Sequence, residues 1–202
     1  MIKYVHLLTV LIILMASAVN AENYVITING TSHDLDLDQK TKITLPDGTP
    51  LKLTLHMKEY LRFSGDMFTF EHKNQYKPGR TDLGSGVFQT MIVTSIGTGI
   101  IIQEYQNLNP THLIDLMLKE LTKEEIEYGY KYKEKAFHKK VGKHVLAGKQ
   151  AVTTYQGEEW TRSVLSYGGR DSGMLIITFI EKDNYKQEKE LIESFWASLE
   201  LK

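Results

Sequence analysis

The sequence predicts an α+β fold: a mostly antiparallel β-sheet covered by helices, with an extra hairpin region toward the N-terminal end. Three observations carry that expectation. Short stretches of apolar residues, many of them alternating with polar ones, recur between Tyr24 and Leu165 as they do in strands. Turn residues punctuate them, among them Asn29-Gly30, Pro46-Asp47-Gly48-Thr49 and Gly168-Gly169. Two segments, after Asn109 and after Asn184, switch to the helical period.

The first residues read as an address. Lys3 supplies a short positive region, Leu7 to Met15 an apolar core, and Val19-Asn20-Ala21 the small residues a signal peptidase reads. Cleavage after Ala21 is expected, which leaves residues 22–202 as a single α+β domain, with hairpins over 22–57 and the main body over 58–202. The apolar core is shorter than the roughly 20 residues a membrane span needs. There are no cysteines among the 202 residues, so disulfides, thiol catalysis and cysteine-bound zinc are excluded. With 24 basic and 25 acidic residues the chain lacks the positive balance expected of a nucleic-acid binder.

Tyr24-Val25-Ile26-Thr27-Ile28 is a strand pattern, and Asn29-Gly30 is the strongest two-residue hairpin signal. Asn29-Gly30-Thr31 is also a glycosylation sequon, which matters only in a eukaryotic secretory pathway. Asp34, Asp36 and Asp38 alternate with Leu35 and Leu37. A calcium loop would want glycine where Gln39 stands and glutamate where Leu45 stands, so the three aspartates are expected on the wet face of a short strand. Thr41 to Leu45 and Leu51 to Leu55 form a second hairpin about the proline-glycine turn. Met67 to His72 is a further strand.

Lys77 to Gly86 breaks every pattern and reads as a surface loop. Its Arg80, Asp82 and Ser85, with His72 nearby in sequence, are the candidate ligand-binding residues, because glycine amides beside an arginine can hold an anion. Val87 to Thr94 and Ile100 to Tyr105 read as central strands. Asn109-Pro110 starts a helix with Leu113, Leu116, Met117 and Leu121 as its buried stripe. Thr122-Lys123-Glu124-Glu125 has the form of a capping box, so a second helix is expected from there to about Tyr132.

Lys131 to Lys149 is rich in lysine and carries one acid, Glu134. Lys139, Lys140 and Lys143 are the candidate basic patch, which could meet an anionic membrane surface; a solvated face explains the same residues. Ala151 to Tyr155 and Trp160 to Leu165 pair around Gly157. The apolar run Met174 to Ile180 reads as a buried strand, and Leu191, Ile192, Phe195 and Leu199 as the apolar face of a closing helix, with Asn184 as its cap.

No catalytic or metal motif is present. The histidines have no metal-ligand spacing, Gly84-Ser85-Gly86 is too short for a nucleophile elbow, and no dinucleotide or phosphate loop occurs. No cofactor is expected.

The meander of hairpins, the helix after the central pair, the strand Ala147-Gly148-Lys149-Gln150-Ala151 and the terminal Ile176-Ile177-Thr178-Phe179 strand with its helix resemble the PsbP-like family, which includes bacterial envelope proteins of the DcrB type. The resemblance covers about residues 60–201. It implies an α/β/α sandwich and action by binding partners, and it carries over no functional residue. The expected function is therefore that of a secreted or periplasmic, non-catalytic protein that binds an envelope partner or small ligand. The alternative is a hydrolase or metal-dependent enzyme with its site at the Lys77–Gly86 loop.

Overall fold

The computed structural model describes residues 24–202, which fall into two compact units divided after Lys58. The expected signal peptide and its cleavage point lie outside the described residues.

Among the described residues, the first unit holds two hairpins. Strands β1 (Tyr24–Ile28) and β2 (Thr31–Leu35) pair in antiparallel register about Asn29 and Gly30. Both turn residues adopt positive φ, 49° and 83°, which is what a two-residue primed turn demands. Strands β3 (Lys40–Thr44) and β4 (Pro50–Thr54) pair about Gly48 at φ 84°. The Asp47 carboxylate accepts the Thr49 N–H at 2.9 Å, which holds its pKa below the usual value. The aspartates do not share a strand face as expected: β2 ends at Leu35, leaving Asp36 and Asp38 beyond it. Asp38 takes φ 60°, outside the extended region a strand requires, and accepts the His56 Nδ1–H at 2.6 Å.

The second unit is built on a seven-stranded antiparallel sheet. Its strands are β7 (Gly79–Gly84), β8 (Val87–Val93), β9 (Gly99–Tyr105), β10 (Lys131–Val141), β11 (His144–Tyr155), β12 (Glu158–Gly168) and β13 (Gly173–Glu181). Their order is β10-β11-β12-β13-β9-β8-β7, so the apolar run Met174 to Ile180 lies in the middle strand. Alternation sorts it: Met174 and Ile176 belong to one apolar cluster, Leu175 and Ile177 to another, and all four are buried.

A helix covers each cluster. A 3₁₀ turn, Pro110–Leu113, runs into α1 (Ile114–Tyr128), which packs on β11 and β12 over the Leu175 face. Helix α2 (Tyr185–Ser198) packs on β13 and β9 over the Met174 face. A three-stranded sheet of β14 (Glu200–Leu201), β6 (Phe68–Lys73) and β5 (Tyr60–Ser64) shares that second face and adds Phe68 and Phe70 to the core. The fold is thus mostly antiparallel sheet with two helices, richer in sheet than helices alone on either side would give.

Four expectations are corrected. Lys77 to Gly86 is not a loop, because Gly79–Gly84 pairs with β8 as an edge strand, where glycine costs least in packing. The expected second helix does not exist. Thr122 is buried inside α1, its hydroxyl donating to the Leu118 carbonyl at 2.9 Å, and the helix ends at Gly129 with φ 113°. The stripe of α1 keeps Leu113, Met117 and Leu121, which pack on the Leu175 cluster, but Leu116 is 55% exposed and the buried Leu118 takes its place. Asn184 precedes α2 without a side-chain cap bond: its backbone is already helical, at φ −82° and ψ −8°, and its amide nitrogen donates to Ile96 O and Glu181 Oε2.

Candidate functional site

The seven-stranded sheet is wider than α2. Beyond the helix, on the Met174 face, β10 to β12 are left as a shelf, and the space between shelf and helix is a groove of about 280 Å³. Phe137 and Lys139 come from β10, Gln150 from β11, Thr161 and Ser163 from β12, and Thr178 and Ile180 from β13. Helix α2 supplies Tyr185, Lys189, Ile192, Glu193 and Trp196 as the opposite wall.

Cross-strand register explains why these residues share a face: Gln150 opposes Ser163, Ser163 opposes Thr178, and Thr161 opposes Ile180. The floor has a polar character unusual for strands this deep. Ser163 is 3% exposed and Thr178 is 6% exposed, and Gln150 Nε2 donates to Ser163 Oγ at 3.2 Å. Among the described residues, the Thr161 and Thr178 hydroxyls make no side-chain hydrogen bond. Apolar side chains stand in both walls: Phe137 and Ile192 pack on the core, and Trp196 meets Phe195 edge-on with centroids 5.0 Å apart. Lys139 Nζ lies 5.6 Å from the Trp196 ring centroid, within cation–π range. Lys189 and Glu193 pair along the helix at 3.7 Å.

Two depressions of larger volume have some of their polar groups already engaged within the protein. In one of about 440 Å³ Arg62 pairs with Glu200, and the Ser194 and Ser198 hydroxyls donate to helix carbonyls. In one of about 550 Å³ the carboxylate of Glu188 accepts from Thr94 Oγ1 at 2.8 Å.

The residues singled out in the sequence are dispersed. His72 is buried on β6, with Nδ1–H donating to the Lys73 carbonyl at 2.9 Å. Arg80 reaches Asp66 at 2.7 Å and the buried Glu104 at 3.2 Å and lies over the Phe88 ring. Those carboxylates, Asp66 foremost, raise its pKa above the ordinary arginine value. The second Glu104 oxygen accepts the Met67 N–H at 2.7 Å, so this cluster ties the β5–β6 turn to the large sheet. Asp82 Oδ1 accepts the Gly84 N–H at 2.8 Å, and Ser85 sits in the following turn at φ 54°. Among the described residues, no hydrogen bond or ion pair joins any two of these four.

Of the lysines, Lys139 lines the groove, whereas Lys140, the next residue on the same strand, points to the opposite face and Lys143 lies in the β10–β11 turn. Sequence reasoning missed Phe137, Gln150, Thr161, Ser163, Thr178 and Trp196. One signal was available: Thr178 interrupts the otherwise apolar run from Met174 to Ile180.

No family model matches the chain, and no curated protein does. Among solved structures, the chain is similar to the solution structure of cyanobacterial PsbP (CyanoP) from Synechocystis sp. PCC 6803. That match has 12% identity and a TM-score of 0.48, covering 72% of this chain and 94% of that one. A crystal structure from Bacteroides thetaiotaomicron VPI-5482 matches at 16% identity and a TM-score of 0.37, over 67% of this chain and 45% of that one. The roles of the groove residues rest on the groove itself. Among the described residues, no group of three or more His, Cys, Asp or Glu side chains could hold a metal ion. No helix among them is long and apolar enough to cross a membrane.

Proposed function

We propose that this is a secreted or periplasmic protein that acts by binding, and that the groove between α2 and β10–β13 holds a small ligand. The larger unit then works as an α/β/α sandwich in which the helix on one face is narrower than its sheet. The observation that carries the reading is the pair of Thr161 and Thr178 hydroxyls. They stand in a groove with apolar side chains in both walls, and no side chain among the described residues takes them up. Unpaired hydrogen-bonding groups beside aromatic and aliphatic walls are what a ligand pocket offers, since the walls supply affinity and the hydroxyls orientation. The address reading rests on Lys3, the apolar core Leu7 to Met15 and Val19-Asn20-Ala21.

The chain has two tryptophans, and only Trp196 lines the groove; Trp160 belongs to the opposite face of β12. A Trp160→Phe protein therefore reports on the groove through Trp196 emission. Screening small polar-aromatic and short-chain compounds against it should give saturable changes that Thr178→Leu, which fills the floor, abolishes. A Trp196 signal that stays flat across such a panel at millimolar concentration would overturn the reading. Mass spectrometry of the exported protein should find a new N-terminus at Glu22, and an intact Met1 would overturn the address.

A further inference from the structure

The charge around the groove is lopsided, and this points to the class of ligand. On edge strand β10, residues 131, 133, 135, 137 and 139 share the groove face, and four of them are lysines. Lys135 stands directly opposite Gln150 of the floor, and Lys133 directly opposite Val152. The acids on the same side are occupied: Glu193 is paired with Lys189 at 3.7 Å, and Glu159 with Lys182 at 3.3 Å. Among the described residues, Lys131, Lys133, Lys135 and Lys139 have no ion-pair partner. Lys149 on the neighbouring strand faces the other way, where Glu134 and Asp115 hold it at 2.8 Å each.

We infer that the groove ligand is a small amphipathic anion. The inference rests on the groove being a ligand site and goes beyond it. The apolar body, one ring or a short chain at this volume, lies between Phe137 and the Ile192–Trp196 wall. The acidic head lies at the β10 side, within reach of Lys139 and Lys135. Polar substituents on the body meet the Thr161 and Thr178 hydroxyls. An anion is favoured over a cation because the row of lysines is uncompensated, and over a neutral molecule because attraction beside an apolar wall is screened less than in open water. Lys139 is the hinge of the arrangement. Its ammonium rests over the Trp196 ring, a weak and exchangeable contact, and it can turn to a carboxylate or phosphate at the groove mouth.

The test compares molecules of one shape and different charge on the Trp160→Phe protein. By calorimetry and Trp196 emission, 4-phenylbutyrate and 4-phenylbutyl phosphate should each bind about 10-fold or more tightly than 4-phenylbutanol, and the tighter of the two identifies the head group. Lys135→Gln with Lys139→Gln should erase that preference. Lys140→Gln with Lys143→Gln removes the same charge from the opposite face and the turn, and should change it less than about 2-fold. Equal binding of the alcohol overturns the anion while leaving the groove standing. Equal losses in both double variants overturn it in favour of unlocalised charge attraction. No Trp196 response to any of the three removes the groove reading and this inference together.

Discussion

Lys139 of β10 and Trp196 of α2 meet across the groove, ammonium 5.6 Å from ring centroid, where the edge of the sheet runs out from under the helix. The contact joins the charged rim to the aromatic wall. Trp196 is 9% exposed and packs on Phe195, so its ring is chiefly a core element and the lysine is an addition. Trp196→Ala should therefore lower unfolding free energy in urea by about 3–5 kcal/mol, and Lys139→Met by less than about 1 kcal/mol. A lysine variant as damaging as the tryptophan variant would show the rim to be part of the core.

Beneath Phe137 the sheet tolerates no side chain on β11. A Cβ at Gly148 would lie 2.0 Å from the Val164 carbonyl oxygen and 2.9 Å from Leu165 Cα, both backbone atoms that cannot turn aside. Gly148→Ala should cost about 3 kcal/mol or more and disturb the groove. Gly169→Ala, which meets nothing within 4 Å, should stay within about 0.5 kcal/mol of the parent. Urea midpoints of the two variants check this directly.

Helix α1 is held by a largely buried ion pair. Both terminal guanidinium nitrogens of Arg162 donate to Glu125, at 2.6 and 2.8 Å, and Thr153 Oγ1 donates to the same carboxylate at 2.6 Å. Glu125→Ala should destabilise by about 3 kcal/mol, since it leaves the arginine without its partner near an apolar face. The double variant Glu125→Leu with Arg162→Met should recover most of that loss. A cycle in which the two changes simply add would dismiss the coupling.

The elements that local chemistry specifies were legible in the sequence. Asn29 and Gly30 had to form a tight turn because few other pairs accept positive φ twice in succession, and Met174 to Ile180 had to be central because it is apolar on both faces. What escaped was decided by pairing and packing that composition and period alone do not display. Gly79–Gly84 is a strand only because β8 is there to pair with it. Thr122 can sit buried within α1 because the Leu118 carbonyl takes its hydroxyl, and Leu118, not Leu116, faces the core. The groove was illegible for the same reason: Phe137, Thr178 and Trp196 lie far apart in the chain, and only strand register and helix placement assemble them. Leu118→Ala should accordingly cost about 2–5 kcal/mol while Leu116→Ala stays within about 0.5 kcal/mol. Thermal unfolding of the pair reads the phase of the helix.

Stability should fall at both ends of the pH range through one cluster. The Tyr132 hydroxyl donates to Glu134 Oε2 at 2.5 Å, and Lys149 lies 2.8 Å from Glu134 Oε1 and from Asp115 Oδ1. Burial, and then that hydrogen bond, pushes the Tyr132 phenol from 10.0 up to about 12. The hydrogen bond from Lys149, and then that from Tyr132, holds Glu134 below its ordinary 4.5. Lys149 is raised by its two carboxylate partners, Asp115 first. The folded tyrosine keeps a proton that the unfolded chain gives up above 10.0, so its contribution is complete below that pH and is lost as pH rises toward about 12. Lys149 loses its contribution in the same direction. The Glu134 contribution is complete above 4.5 and is lost as pH falls through the lowered folded value. Tyr132→Phe should flatten the alkaline fall in urea midpoint, leaving the share of Tyr130, whose phenol is pushed to about 12 chiefly by its hydrogen bond to Glu158. Glu134→Gln should flatten the acid limb and also lessen the alkaline one, because Tyr132 and Lys149 then face a neutral acceptor. An alkaline limb identical in the parent and both variants would mean that the cluster does not couple to folding.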